Sequence, residues 1–239
     1  MKKQFQIILF MVFIVTLTAC GSTAPENDQK NGELIAAEEP ALTYYLPSPD
    51  TDGDMSVESA LQNRRSQRSF QDKALSAYQL SQILWAAYGI TDDGRGFRTA
   101  PSAGALYPLE IYAIVGNVEG IDPGAYKYIA EGHKIVMVVE GDVRDQLSEA
   151  VFSQRMVTEA PAAIFYSGVF SRTTERYGDR GNHFVYIEVG HSAQNVYLQA
   201  ESLGLGVCAI GTVTDVAREI LDLPPDEDPL YLMPIGYTE

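Results

Sequence analysis

Cysteine is scarce in this chain: only two of its 239 residues are cysteines. A disulfide framework of the kind that stabilises many small secreted domains is therefore excluded. The fold must rest on a hydrophobic core, and 46% hydrophobic residues suffice for one substantial core in a chain of this length. One globular domain is the simplest organisation that this composition allows.

Basic residues are also few. The chain has 17 Lys and Arg against 32 Asp and Glu, which gives a formal net charge of -15. Proteins that bind nucleic acid neutralise its phosphates with a surplus of lysine and arginine. The charge balance therefore argues against a nucleic-acid partner.

The most apolar run of the chain lies near its N-terminus, from Ile7 to Leu17, behind two lysines. It is too short to span a bilayer comfortably. Small residues before Cys20 make the segment similar to a bacterial lipoprotein signal. This similarity predicts a signal peptide over residues 1–19 and a lipid on Cys20, which anchors the domain to the cell membrane on its extracytoplasmic side. An ordinary secretory leader or an uncleaved signal anchor is the alternative, and either one also exports the domain.

Residues 20–54 differ in composition from the rest, because Ser, Thr, Pro, Glu, Asp and Asn dominate them. Pro40, Pro47 and Pro49 interrupt any regular element there. We therefore predict a flexible tether over residues 20–54, followed by a folded domain over residues 55–239. The stretch "LTYYLPSP" has more aromatic surface than a free linker needs, so its docking on the domain is an open alternative.

From Met55 onward, helical and extended periodicities alternate, which predicts a mixed α and β domain. Ser56 is a candidate N-cap of a helix that carries Val57, Ala60 and Leu61 on one face. A second helix begins at a capping box of Ser76 and Gln79 and ends at Gly89.

The second half of the domain is predicted to contain most of the strands. Their positions are 109–116, a hairpin over 125–139 that turns at Glu131 and Gly132, 162–168, 206–211 and 230–237. Short helices are expected at 143–151 and 214–223, and a longer one of about five turns ends at Gly204. That long helix is apolar on more than one face, which is typical of a central helix or one shared by two subunits. The apolar neighbours of Cys208 predict a small buried residue.

Three arginines, Arg64, Arg65 and Arg68, lie within five positions of this acidic chain. Near a helix terminus, residues three and four apart share a face, so their guanidinium groups can converge on one anion. Arginine forms forked hydrogen bonds with phosphate, and Ser66 adds a hydroxyl, so the group suits a phosphorylated cofactor. A solvated basic face that pairs with carboxylates is the alternative.

Four stretches, in this order, resemble motifs of the nitroreductase family: "RRSQRSF", "APSAGALYPLEIY", "HSAQNVYLQAESLGLGVCAIG" and "LMPIGY". The resemblance extends from Val57 to Tyr237 and looks closest to the branch that includes azoline dehydrogenases of peptide natural-product pathways. It implies an α+β fold in which helices flank a central mixed or antiparallel sheet, and a homodimer with a long helix at its interface. It further implies two FMN molecules at that interface and hydride transfer between flavin N5 and a small organic substrate.

The resemblance also implies roles for individual residues. Arg64, Ser66 and Arg68, with Arg65 beside them, match the segment that holds the FMN phosphate and ribityl chain. Arg68 is the candidate cation near flavin N1 and O2. The other matching residues are Pro101, Ser102, Ala103 and Gly104, which reach the flavin from the partner subunit, Ile210, Gly211 and Thr212 near N5, and Asn195, which forms the family's "QN" pair with Gln194.

The sequence departs from the family pattern in two places. No basic residues follow "PIGYTE" to hold the phosphate, so Arg64 and Arg68 carry more of that task, and Glu188 stands where relatives often have Asp. No catalytic residue is identified, because in this family the flavin itself exchanges the hydride. Tyr107 and Tyr177 are candidate proton donors.

Two other functions compete with this one. Glu188 and His191 have the E-x-x-H spacing of dinuclear metal sites, but such sites need a second copy, so no metal is predicted. A membrane-tethered protein that binds flavin or another ligand without turnover remains an alternative. Because NAD(P)H is scarce outside the cytoplasmic membrane, transfer from a substrate to the flavin is favoured over NAD(P)H-driven nitro reduction.

Overall fold

The structure, a computed structural model, describes residues 41–238. The predicted signal peptide over residues 1–19, the predicted lipid site at Cys20 and the first part of the predicted tether lie outside the described residues. Within the part that is described, no helix is long and apolar enough to cross a membrane.

The strands of residues 41–238 are, in chain order, β1 (Thr43–Tyr45), β2 (Ile90–Asp92), β3 (Phe97–Arg98), β4 (Leu109–Val115), β5 (Gly124–Ile129), β6 (Lys134–Glu140), β7 (Ala162–Gly168), β8 (Gly206–Val207) and β9 (Asp228–Gly236). Seven of them form one sheet in the order β1-β6-β5-β4-β7-β9-β8, and β2 and β3 form a separate hairpin. Every pairing between named strands is antiparallel. The strand expected over residues 206–211 ends at Val207, and Ile210 makes only an isolated bridge to Leu232.

The helices of the same residues are α1 (Val57–Asn63), α2 (Ala77–Tyr88), α3 (Arg144–Ala150), α4 (Met156–Glu159), α5 (Ser171–Tyr177), α6 (Arg180–Ser202) and α7 (Val216–Ile220). A short 3-10 turn covers Ala103–Ala105. Ser56 caps α1, and the capping box of Ser76 and Gln79 at the start of α2 is present, as predicted. The long helix predicted before Gly204 is α6, which has 23 residues.

Hydrophobic side chains cover both faces of the sheet. β7 is buried at every position, because its residues alternate between two clusters. Ile164 packs in a cluster that includes residues of α2 and α6, whereas Phe165 packs in a second cluster with residues of α3 and α7. A short strand that is apolar throughout, such as "AAIFYSG", is typical of this position between two layers of helices.

Residues 42–50, which we call the strap, pack on the domain, so the structure differs from the flexible tether predicted up to residue 54. β1 pairs with β6 at the edge of the sheet, and Leu46 is buried beside it. The carbonyl of Pro47 accepts a hydrogen bond from Ser81 Oγ at 2.6 Å. The packed domain thus begins before residue 55. The reason is that the apolar side chains of "LTYYLPSP" gain burial against the sheet that a linker in water lacks.

Helices α1 and α6 each leave two large apolar side chains in solvent. On α1 only Ala60 is buried, and its neighbours Val57 and Leu61 are 64% and 53% exposed. On α6, Tyr186 and Ile187 are 61% and 53% exposed. Val57, Ala60 and Leu61 therefore lie on one helix as predicted, but the larger side chains of Val57 and Leu61 are in solvent and not in the core of this chain.

Candidate functional site

The arginine-rich segment is extended rather than helical. α1 ends at Asn63, Ser66 forms a parallel bridge to Val207, and Gln67 N donates to Val207 O at 3.0 Å. The helical spacing from which convergence of Arg64, Arg65 and Arg68 is predicted therefore does not apply.

The extended backbone sorts these side chains in a different way. Successive residues of an extended segment point to opposite sides, so Arg64, Ser66 and Arg68 share one side. Arg65 turns back on its own chain, because its Nη1 donates to the carbonyls of Gln62 at 3.0 Å and Arg64 at 2.8 Å. The alternation separates Arg65 from the other three residues.

Tyr197 of α6 joins the arginine segment to the loop after β8. Its hydroxyl lies 3.1 Å from Ser66 Oγ and accepts a hydrogen bond from Ala209 N at 2.8 Å. The Arg64 guanidinium stands over its ring, 5.1 Å from the centroid. Sequence reasoning missed Tyr197, although it follows Asn195 by two residues within one of the quoted motifs.

The loop after β8 presents open backbone beside the arginines. Ile210 is buried and exchanges two backbone hydrogen bonds with Leu232, at 2.8 and 3.0 Å, whereas Gly211 and Thr212 are exposed. A Cβ on Gly211 would lie 3.2 Å from the Tyr231 ring. Glycine therefore avoids a tight contact with the Tyr231 ring, and it leaves the exposed backbone of this loop without side-chain cover.

Cys208 lies in the same region and is buried, as predicted. Burial raises the pKa of its thiol, and the positive charge of Arg68 acts in the opposite direction. The bridge between Ser66 and Val207 brings the segment that contains Arg68 beside this region.

The loop over residues 101–108 has an unusual backbone. Three of its residues have positive φ angles: Gly104 at 65°, Ala105 at 52° and Tyr107 at 47°. Ser102 Oγ accepts a hydrogen bond from Tyr107 N at 2.9 Å, which closes the loop. Positive φ in residues other than glycine is costly and is often found at binding and catalytic sites.

Gly104 faces the end of α5. A Cβ on Gly104 would lie 2.7 Å from the hydroxyl oxygen of Tyr177 and 3.0 Å from Nη1 of Arg176. The structure thus brings Tyr177, one of the two candidate proton donors, against the 101–108 loop. Tyr107, the other candidate in the same loop, makes different contacts. Its carbonyl accepts a hydrogen bond from Arg172 at 2.9 Å, and its ring packs edge-on against Tyr88.

Glu188 lies buried below this loop, with 1% of its surface exposed. Its Oε1 accepts a short hydrogen bond from the Tyr88 hydroxyl, and its Oε2 has no hydrogen-bond partner among the described residues. Burial raises the pKa of this carboxyl group, and the nearby hydroxyls and cations offset only part of that effect. In residues 41–238 no group of three or more metal-binding side chains is present.

Asn195 connects α6 to the start of the 101–108 loop, because its Nδ2 donates to the carbonyl of Thr99 at 3.1 Å. Glu188, Ser192 and Asn195 lie at helical spacing on the same side of α6. Ser192 Oγ donates to the Ala87 carbonyl at 2.7 Å. Gln194, the neighbour of Asn195 in the sequence, is half-buried on a different side of the helix.

The residues predicted from the sequence therefore fall into two clusters. Arg64, Ser66 and Arg68 lie with residues 210–212, while residues 101–104 lie with Tyr177 and Glu188. No hydrogen bond or ion pair within residues 41–238 connects the two clusters.

Positive charge is available at both clusters. Several arginines of the described chain form no ion pair with a described carboxylate, and they are Arg64, Arg65, Arg68, Arg176 and Arg180. Lys127 and Arg144, which lie elsewhere, are paired, and so is Arg172, which donates to the Tyr107 carbonyl of the 101–108 loop. In an acidic protein, unpaired guanidinium groups beside an open glycine loop fit a ligand that has both a phosphate and a flat ring.

Comparison with known proteins identifies relatives with the same architecture. Residues 61–237 match the model of the nitroreductase family. A protein of Methanocaldococcus jannaschii that is named a nitroreductase is 47% identical over 195 residues, which cover 81% of this chain and 96% of the relative.

Two further relatives are more distant. The microcin B17-processing protein McbC of Escherichia coli is 27% identical over 143 residues, which cover 57% of this chain and 53% of McbC. A solved nitroreductase structure from Ralstonia eutropha is 29% identical, has a TM-score of 0.73, and aligns over 84% of this chain and 93% of its own. The match of the family model over most of the chain and the extent of the first relative establish that this chain belongs to the nitroreductase family.

Proposed function

We propose that this protein is an FMN-dependent oxidoreductase that transfers a hydride between flavin N5 and a small organic substrate. The observation that carries the proposal is the alternation of Arg64, Ser66 and Arg68 along an extended segment beside the exposed backbone of Gly211 and Thr212. Arg64 and the hydroxyl of Ser66 suit a phosphate, and Arg68 with the glycine loop next to it suits a flat ring that gains negative charge.

When bound, FMN supplies the two-electron chemistry of the reaction. Arg64 and Ser66 hold its phosphate, and Tyr197 fixes the position of Ser66 through their shared hydrogen bond. Arg68 places a positive charge beside the loop over residues 210–212, where it favours the more negative, reduced cofactor. Membership in the nitroreductase family supports this choice of cofactor.

The active form is a homodimer in this proposal. The exposed apolar side chains Val57 and Leu61 of α1 and Tyr186 and Ile187 of α6 form surface that a second copy would cover. A cavity of about 1120 Å³ beside α1, lined partly by Met55 and Val57, adjoins this surface. The partner's residues 101–104 would complete each cofactor site, which agrees with the separation of the two clusters within one chain.

Tyr177 is the proton donor or acceptor that the geometry favours. Its hydroxyl lies at Gly104, and the side chain is only half-buried, so a substrate above the 101–108 loop can reach it. The sequence resemblance to azoline dehydrogenases, together with the similarity to McbC, a microcin B17-processing protein, supports a dehydrogenation of a peptide-derived substrate. In that direction the substrate is oxidised and the flavin is reduced.

Attachment to the membrane through a lipid on Cys20 is a separate part of the proposal, supported by the "LTAC" sequence. Metabolic labelling with a radioactive fatty acid tests it. The label is expected in the full chain and absent from the Cys20→Ala variant. A wild-type chain without label would contradict the lipid anchor and leave the enzyme proposal intact.

The enzyme proposal is tested with FMN titrations of the full chain and two variants. Arg64→Ala is expected to raise the FMN Kd by about ten- to a hundredfold, because a hydrogen bond to a charged group contributes about 1.5–3 kcal/mol. Arg68→Ala is expected to raise the Kd and also to lower the flavin's reduction potential. Arg155→Ala, which removes an exposed arginine paired with Glu159, is the control and should leave both values unchanged.

Anaerobic reduction of the bound flavin tests the direction of hydride transfer and the alternative of a flavin-binding protein without turnover. Bound flavin should bleach with reduced organic substrates, azolines among them, faster than with NADPH. Rapid reduction by NADPH alone would contradict the proposed direction. Flavin that binds but is turned over by neither class of donor would support the alternative of a binding protein without turnover.

A further inference from the structure

Glu188 is a buried carboxyl group that has no role in the cofactor and substrate contacts proposed above. Oε1 is satisfied by Tyr88, but Oε2 has no hydrogen-bond partner among the described residues, although the residue is only 1% exposed. An ionised carboxylate with one unsatisfied oxygen is costly in such surroundings. The ionised form of Glu188 is therefore a stronger base than an ordinary glutamate and takes up a proton readily.

The charged and titratable groups around Glu188 come from each element packed on it. They are Tyr88 of α2, Arg98 of β3 and His191, one turn further along α6. Arg98 is engaged elsewhere, because its Nη2 pairs with Glu131 at 3.2 Å and its guanidinium stands over the Tyr88 ring at 4.6 Å. Burial consequently prevails, and the pKa of Glu188 is raised.

Ser102 provides a route from this carboxyl group to the ligand. Its hydroxyl is close enough to stabilise the carboxylate of Glu188 but does not complete a hydrogen bond to Oε2. Its Oγ already accepts from Tyr107 N at 2.9 Å. The single proton of Ser102 can therefore point either to Glu188 or outward, depending on whether Glu188 is ionised or neutral.

We propose that Glu188 exchanges a proton with the bound cofactor and substrate through the hydroxyl of Ser102. This role rests on the proposed function. When the substrate is oxidised, the bound flavin would supply the hydride acceptor, the substrate would release a proton to Ser102 Oγ, and Ser102 would pass its own proton to the ionised carboxylate of Glu188. In the reverse direction Glu188 returns that proton. Glu188 is thus a positioning residue that acts through Ser102.

The test compares Glu188→Gln with a matched control, Glu227→Gln. The amide introduced by Glu188→Gln keeps the size of the side chain and an acceptor for Tyr88 but cannot take up a proton. Glu227 is buried to a similar degree, 3% exposed, but is fully bonded to Tyr112, Ser167 and Lys127 on the other side of β4. Glu227→Gln therefore introduces an amide at a buried position whose carboxylate is already bonded and makes no hydrogen bond with Ser102.

The first measurement is the midpoint potential of the bound flavin as a function of pH. Negative charge that accumulates on reduction should raise the proton affinity of Glu188, so the wild type takes up an additional proton. One such proton steepens the slope of a two-electron couple by about 30 mV per pH unit. Glu188→Gln should lose this additional slope, and Glu227→Gln should keep it. The same slope in wild type and Glu188→Gln would overturn the proposal.

A second measurement needs no flavin. Carbon-13 NMR of labelled glutamate carboxyl groups in the FMN-free protein should show one group that titrates above the ordinary range. This signal should be absent in Glu188→Gln and present in Ser102→Ala. The midpoint potential of the flavin bound to Ser102→Ala should nevertheless lose the additional dependence on pH. No such group would overturn the proposal. Failure of the wild type to bind FMN would overturn the proposed function instead, and the NMR titration would still show whether Glu188 holds a proton.

Discussion

Replacement of Tyr197 by phenylalanine should weaken FMN binding, although Tyr197 is not one of the residues that contact the cofactor in the proposed site. The substitution removes one hydroxyl, which lies 3.1 Å from Ser66 Oγ and 2.8 Å from Ala209 N. The phenylalanine ring still offers its face to Arg64, so the cation–π contact at 5.1 Å is retained. The experiment therefore isolates the hydrogen bonds.

The expected magnitude follows from these bonds. Ala209 is partly buried, so its N–H, left without this acceptor, should cost about 1 kcal/mol of unfolding free energy. If poorer positioning of Ser66 costs the FMN complex a similar binding free energy, the FMN Kd rises about fivefold. Urea denaturation of the FMN-free protein measures the first value, and flavin fluorescence titration measures the second.

Tyr45→Phe, in the strap, is the matched control. The Tyr45 hydroxyl makes no hydrogen bond within residues 41–238, and the side chain is 76% exposed, so neither value should change. If Tyr197→Phe bound FMN as tightly as Tyr45→Phe, the idea that Tyr197 positions Ser66 for the cofactor would be refuted.

Two further predictions concern the 101–108 loop and the strap. Gly104→Ala should cost about 1–2 kcal/mol in urea denaturation because of its positive φ and should also lower turnover, since its Cβ displaces Tyr177. Gly132→Ala has a similar φ but open space around it, so equal turnover losses in both variants would contradict a role for Tyr177. Burial lowers the pKa of His133, whose Nε2 lies 3.1 Å from the carbonyl of Pro47 in the strap. The neutral His133 therefore contributes fully to the stability of the fold above the ordinary histidine pKa of about 6.5. This contribution is lost as the pH falls through the lower pKa of the folded state. Thermal denaturation at decreasing pH should show this loss in the wild type and not in His133→Asn, and an identical pH dependence would disprove it.

Elements with local signals could be predicted from the sequence. The N-cap Ser56 and the capping box of Ser76 and Gln79 depend only on contacts within one helical turn, so the residue types reveal them. β7 could be predicted because seven buried positions in a row require an apolar sequence. The family motifs likewise identified the fold.

Other features could not be predicted, because they depend on residues far apart in the chain. Docking of the strap requires Ser81, 34 positions from Pro47. The position of Ser66 depends on Tyr197, 131 positions away. The helical spacing assumed for the three arginines was wrong, since the bridge from Ser66 to Val207 holds that segment extended.

The sequence by itself determined which chemistry the chain can offer: arginines and a serine for a phosphate, glycines where backbone must stay accessible, and a fold of the nitroreductase family. The tertiary structure decided which of these groups act together. It turned Arg65 away from Arg64 and Arg68, brought Tyr177 to Gly104, and buried Glu188 with an unsatisfied oxygen. The physical reason is that residue type sets what a side chain can donate, accept or ionise, whereas direction, burial and partners arise only when distant segments pack together.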